Sequence, residues 1–348
     1  MKRIDRYVLS AFFQAWFAAF VFFCGMYLVI HFFNQLGDLG KASEAFRAQG
    51  WTPFYGFCLY YGLNLPFVIV QTAPFTILMG GMWAVQQMSR KNELVPVLVA
   101  GISFRRLSVP VLAAGFLLSL LFAGVRESVL PKIAEERHRV ERLFKGKANE
   151  SPSIRPPQIR DAEGRIWHIR EYEIATKTAR GLNIVVGGLE AKPRRHWEAV
   201  RWEGGRWIVV AGDPGDETVL IETKLTPRDI EIESRSLLFL DVGDLRRMIN
   251  RYPHRSNLRL LLHAHFAYPL GTMVLLLMGL PLVLRAARKT PFVAAGVSLL
   301  LSIAFFAVSS VMQDLGGRDE VLNPVLGAWL PIILFGAVGL ILFETMRT

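Results

Sequence analysis

Six apolar runs set the layout of this chain. They cover residues 8–33, 54–85, 107–125, 266–284, 291–311 and 325–343, and each is close to the roughly 20 residues that cross a bilayer as a helix. Three runs precede and three follow a long hydrophilic stretch, residues 132–257. Pro66 and Pro74 interrupt the second run, where Asn64 and Gln71 add polar groups, so a kinked helix packed on neighbours is predicted there. An external loop, NQLGDLGKASEAFRAQGW, separates the first two runs. The hydrophilic stretch opens as a charged helix, KIAEERHRVERLF, breaks at SPSIRPPQ, and then changes to a period of two. RIWHIREYEI alternates in part, and GLNIVVGGLE reads as a short strand. EAVRWEGGRWIVVAG reads as a hairpin turning at Gly204–Gly205, and TVLIETKL and DIEIES as further strands. Residues 244–259 return to helix. The expected architecture is a polytopic α-helical membrane protein of six transmembrane helices, three plus three. It carries an inserted all-β domain of the sandwich or jelly-roll kind. The expected divisions are residues 1–130, 131–257 and 258–348.

Charge gives this layout a direction. The net charge is +11 and the mean hydropathy +0.32. Lys2, Arg3 and Arg6 precede the first run, and basic residues also fill the loop after the second run and RAARK (285–289) after the fourth. With six spans these all fall on one side, which the positive-inside rule makes cytoplasmic. Both termini are then expected inside and the large domain outside. The N-terminal run is too long for a signal peptide, and no small-residue cleavage site ends it. No nucleic-acid-binding motif accompanies the positive charge. Cys24 and Cys58 lie inside apolar runs, where they suit neither a disulfide framework nor a zinc site.

Catalytic signatures are missing from the sequence. GKANES at Gly146 has the wrong residues and spacing for a phosphate-binding loop, and neither HExxH nor GxSxG occurs. His263 and His265, two apart, point to different helix faces and make a poor metal pair. Glu127 beside Arg126 reads as an interfacial ion pair. Two places invite function. The first is the segment SRKNELVPVLVAGISFRRLS, residues 89–108, between the second and third spans. ELVPVLVAG reads as a short amphipathic helix, with Glu93 at its start and Gly101 as the residue that closes it. Such a helix either meets a soluble partner or is an ordinary basic loop that fixes topology; spacing leaves both open. The second is the exit of span one, where His31, Asn34, Gln35 and Lys41 cluster, together with Arg126 at the end of span three. Basic groups at headgroup depth suit lipid phosphates or simply anchor the chain at the interface.

These residues resemble the LptF/LptG (YjgP/YjgQ) permease family of lipopolysaccharide export. The pattern S-R-x-x-E-L-x-x-x-x-x-A-G-I-S stands here as Ser89, Arg90, Glu93, Leu94, Ala100, Gly101, Ile102 and Ser103. RESVLP at 126–131, W-x-x-G-x-W followed by Leu225–Pro227, and the fourth span with Pro269, Gly279 and Pro281 extend the resemblance along the chain. It implies a permease subunit with a second LptF/LptG-type subunit beside it and an LptB-like dimer of cytoplasmic ABC ATPases beneath, which would hydrolyse ATP in place of this chain. It implies lipopolysaccharide as cargo, passed to LptC/LptA-like jelly-roll bridge proteins, and no cofactor. Ser89, Arg90, Glu93, Leu94 and Gly101 would form the ATPase-coupling element, with Glu93 facing an Arg of the ATPase. His31, Gln35, Lys41 and Arg126 would be the lipid contacts. In the LptG-type subunit span one ends in basic residues; the matching positions here are His31 and Gly37–Asp38, with Lys41 out of register, which leaves the subunit type, LptF or LptG, open. The alternatives are an envelope scaffold that uses its spans only as anchors, and an intramembrane lipid enzyme, which would need a paired acid and base within a span.

Overall fold

The computed structural model describes residues 3–146, 153–154, 156, 159–161, 165–185, 195–211, 220–221, 223, 225–234, 240–251, 256–286, 292–317 and 322–345. It divides into two compact units: residues 1–146 with 255–348, and residues 147–254. The helical unit contains α1 (Arg3–Asn34), α2 (Leu39–Ala48), α3 (Pro53–Arg90), α4 (Leu94–Val99), α5 (Phe104–Ser128) and α6 (Leu130–Phe144). After the second unit come α9 (Ser256–Ala286), α10 (Phe292–Gly317) and α11 (Pro324–Glu344). Six of these, α1, α3, α5, α9, α10 and α11, are long and apolar enough to cross a membrane. The six spans read from the sequence are therefore present. The turn RAARK is described only to Ala286, so the rest of it lies outside the described residues.

The loop expected between the first two spans contains a helix. Leu39, Ala42 and Phe46 recur at helical spacing in α2, and Ala42 and Phe46 are buried. They join Tyr60, Val140, Leu143 and Phe144 in a small core shared by α2, α3 and α6. Helix α2 closes with Gly50 at φ +76, where the N–H of Trp51 bonds back to the carbonyl of Phe46 at 2.9 Å.

Helix α3 runs 38 residues through both prolines. A helix rises 1.5 Å per residue, so it spans about 57 Å, nearly twice the ~30 Å hydrocarbon core of a bilayer. Tilt, kinking or extension beyond the hydrocarbon must take up the difference. Pro74 has no N–H, which leaves the carbonyl of Val70, four residues earlier, without its helical donor. The hydroxyl of Tyr268 on α9 supplies that donor, at 2.6 Å. Gly80 lets α1 approach: a β-carbon there would lie 2.7 Å from the α-carbon of Trp16. Helices α3 and α9 are the most enclosed of the six, and α9 also packs on α5, α10 and α11. Val8, Phe12, Ile77, Leu78, Met82, Phe104, Val111, Leu276 and Leu280 lie in the shared core.

The second unit holds an antiparallel sheet: β1 (Ser153–Ile154), β2 (Ile159–Arg160), β3 (Ile166–Glu173), β4 (Thr178–Val185), β5 (Arg195–Glu203), β6 (Arg206–Ala211) and β7 (Leu220–Ile221). Its order is β1-β3-β4-β5-β6-β7, with β2 also on β3. Among the described residues it is a meander with two short flanking strands. The predicted hairpin is β5–β6. Gly204 and Gly205 both take positive φ, +58 and +82, as a two-residue turn of the twisted-hairpin type requires. The alternation of β3 is partial for a local reason. Trp167 and Ile169 face the core, then Tyr172 does so instead of Glu171, and the switch lies opposite Gly181, at φ +63. The residues of 186–190 and parts of TVLIETKL fall outside the described residues.

One strand expectation is overturned. DIEIES belongs to helix α7 (Pro227–Ser234). Alternating Ile and acidic residues suggest a strand, but the residues just before them set a helix start. Thr226 is followed by Pro227 at the first helical position and Asp229 two further on. The Asp229 carboxylate accepts from the Thr226 backbone N–H at 2.7 Å and from its hydroxyl at 2.5 Å. This cap, in which Thr226 donates twice to the Asp229 carboxylate, with a proline whose fixed φ suits the first turn, outweighs a weak period-two pattern. Within the expected helix at 244–259, the described residues belong to α8 (Val242–Arg251) and to the start of α9, and residues 252–255 lie outside the described residues. The W-x-x-G-x-W…LTP spacing gains a structural meaning too: the Trp207 indole N–H donates to the carbonyl of Leu225 at 2.8 Å.

Candidate functional site

The segment between α3 and α5 is built from consecutive helix caps. Helix α3 ends at Arg90, and Asn92 takes the left-handed φ of +56. The N–H of Asn92 bonds to the Ser89 carbonyl, and that of Glu93 to the Met88 carbonyl. Helix α4 closes the same way. Gly101 has φ +80, its N–H bonds to Leu98, and that of Ile102 bonds to Val97. Both are the paired end-bonds of a Schellman motif. Ser103 then caps α5, its hydroxyl accepting from the Arg106 N–H at 3.3 Å. Capping bonds therefore close both junctions of α4 with its flanking spans.

Leu94 roots α4 in the core at 4% exposure, whereas Val95 and Val99 stand out at 57% and 83%. Three contacts tie the segment to distant parts of the unit. The Tyr7 hydroxyl donates to the Glu93 carboxylate at 2.5 Å. Arg106 pairs with Asp5 at 3.0 Å. Arg105 donates to the carbonyl of Glu344. Ser89 and Arg90 lie in the last turn of α3, and Arg90 borders a recess of about 370 Å³ with Trp83, Gln86, Gln87 and Lys91. The structure thus brings Ser89, Arg90, Glu93, Leu94 and Gly101 into one continuous element. Sequence spacing gave no sign of Tyr7, Asp5 or Glu344, because each comes from a remote helix end.

The residues singled out at the other end of the bundle do not form one site. His31 lies among Tyr27, Tyr60 and Tyr61, with ring centroids at 5.3, 5.8 and 5.8 Å. Gln35 ends α1 through its backbone N–H. Lys41 is exposed, and its aliphatic stem lies against Gly146 at the end of α6. Arg126 faces α9 instead, its guanidinium 5.7 Å from the centre of the Tyr268 ring. The more connected cation is Arg137 of α6, which the sequence reading passed over. Its Nε donates to the Asn64 side-chain carbonyl at 2.8 Å, and its guanidinium lies 4.4 Å from the centre of the Phe67 ring. Asn64 in turn donates to the carbonyl of Tyr60 at 2.8 Å. The cue was available: a helical-period apolar face on a charged segment marks a docked helix.

Glu141 of α6 belongs to the same cluster, bonded to Lys145 at 2.7 Å. Burial works to raise its carboxyl pKa. The hydrogen bond and charge of Lys145, followed by the charges of Arg137 and His138, outweigh burial and hold it below its ordinary value. A depressed folded value means the contribution is complete above the unfolded value and fades as pH falls through the folded one. Protection of the α6 amides, taken relative to their intrinsic exchange rates at each pH, is therefore expected to fall in acid, below the usual glutamate range. Glu141→Gln should flatten that dependence; equal pH profiles for the two proteins would contradict it.

His263 accepts from the Trp329 indole at 3.4 Å, and His265 bonds to the carbonyl of Leu261 at 2.8 Å. Each histidine thus has its own partner. Comparison with curated proteins gives no significant match. The profile of the family described as lipopolysaccharide export system permease LptF/LptG matches residues 6–197 and 217–345. With that match spanning both units and all six membrane-length helices, the chain belongs to the LptF/LptG family of lipopolysaccharide export permeases and is a multi-pass protein of the inner membrane.

Proposed function

We propose that this chain is one half of an ATP-driven lipopolysaccharide extractor, with α4 as the element that receives force from a cytoplasmic ABC ATPase dimer. The observation that carries this reading is the exposure of Val95 and Val99 on a short, capped helix that directly follows α3. Val95 and Val99, one helical turn apart, would both be covered by an ATPase surface seated on α4. The basic residues at this end make it the cytoplasmic side, with both termini there and residues 147–254 in the periplasm. A second permease of the family completes the lipid path, and jelly-roll bridge proteins take the cargo onward. At the opposite end His31, Gln35 and Lys41 border that path, with Arg126 on its α9 side.

In the assembled complex Glu93 exchanges or shares its Tyr7 hydrogen bond with a guanidinium of the ATPase, a charge-assisted contact. Purification in mild detergent should recover an ATPase and a second six-span subunit. Glu93→Ala should lower lipid-stimulated hydrolysis by roughly 2–5 kcal/mol of lost coupling, the usual cost of truncating one side of a desolvated pair. An unchanged rate with an intact complex would remove Glu93 from this role. Full export by the second unit tethered to an unrelated helix would make the protein a scaffold instead.

A further inference from the structure

Two recesses meet at the Asp5–Arg106 ion pair. One is an open groove of about 680 Å³ between α1 and α5, walled by Leu9, Phe13, Val109, Ala113, Leu117 and Leu121. The other, about 290 Å³, is of mixed polarity and is bordered by Gly101, Ile102 and Ser103 in the turn after α4, with Ile4 and Leu107. Asp5 and Arg106 line both. The apolar groove therefore meets a more polar recess at a charge of each sign. The Arg106 side chain is 45% exposed and the Asp5 side chain 13%.

We propose that the two recesses together hold one phospholipid of the leaflet nearest the N-terminus, and that its headgroup carries a primary ammonium, as in phosphatidylethanolamine. The groove follows α5 from residue 106 to 121, about 22 Å of helix. One leaflet's hydrocarbon is roughly 15 Å deep, half of the ~30 Å core, so an acyl chain can lie in the groove along its full depth. At the boundary the phosphate accepts from Arg106 and the ammonium donates to Asp5. A zwitterionic headgroup with N–H donors complements both charges. An anionic headgroup without an ammonium leaves Asp5 facing like charge, and a trimethylated one has no donor for it. This site is at the coupling-segment end of the bundle, away from His31 and Arg126. It depends on the chain lying in a bilayer and not on ATPase attachment.

Native mass spectrometry of the full chain in mild detergent tests this with phosphatidylethanolamine, phosphatidylcholine and phosphatidylglycerol of matched chains. One phosphatidylethanolamine should be retained per chain, about tenfold more tightly than either other lipid, as a charge-assisted hydrogen bond implies. Ala113→Trp, which fills the groove, should reduce retention about tenfold or more, whereas Leu340→Trp on the exposed face of α11 should not. If Ala113→Trp yields no folded chain, Val109→Trp makes the same test. Equal retention of the three lipids, undiminished binding to the groove-filled variant, or cross-linking of the groove to a protein helix would each overturn the proposal.

Discussion

Val99→Asp is expected to leave the chain folded and to strip it of its ATPase. Val99 is 83% exposed in the chain alone, and a substitution at such a position costs the fold within about 0.5 kcal/mol. Against a partner the same carboxylate is buried without a counter-charge. That costs about 3–5 kcal/mol, a loss of affinity of about a hundredfold or more at 1.4 kcal/mol per decade. Leu94→Asp provides the contrast, since Leu94 is 4% exposed and packed in the core; it should lower the melting temperature itself. The measurement is the amount of ATPase recovered per permease, beside a thermal melt of each variant. Recovery at the wild-type ratio from Val99→Asp would refute α4 as the docking element, whatever its effect on transport.

The second large effect belongs to the sheet unit. Asp161 is 4% exposed, and its carboxylate accepts from the Arg165 backbone and guanidinium at 2.8 and 2.7 Å, from the Trp167 indole at 3.0 Å and from the Thr223 hydroxyl at 3.4 Å. Asp161→Ala strands a buried indole N–H and takes the carboxylate from the Arg165 guanidinium, which is itself only partly exposed. Removing one side of a buried pair costs about 3–5 kcal/mol, a large part of the stability of a small domain. Hydrogen exchange across β3–β6 should rise accordingly, while exchange in α3 and α9 stays at the wild-type rate. Asp161→Asn keeps an acceptor for Trp167 and gives up the charge, so its effect should fall between. Exchange in β3–β6 unchanged by Asp161→Ala would show that the cluster is incidental to the unit's stability.

The spans and the β5–β6 hairpin were legible because their signals are local and repeated: long apolar runs and a Gly-Gly turn between alternating strands. Glu93 and Gly101 were legible for the same reason, as residues at the two ends of one short helix. DIEIES misled because periodicity was weighed without the capping residues immediately before it. Tyr7 could not be seen, since its contact with Glu93 joins residues 86 apart. Arg126 and His31 looked alike as polar residues ending spans, yet packing sends one to Tyr268 and the other to Tyr60. Which neighbour a helix end meets depends on how the helices associate, and the chain order does not encode that in any short window.

The close approach of Gly80 to Trp16 leaves no room for a β-carbon beside the midpoint of α1, Arg3–Asn34. Tyr7 is bonded to Glu93 near one end of that helix, and His31 packs on Tyr60 near the other. Any side chain larger than hydrogen at residue 80 would therefore press on α1 between two ends that are already held.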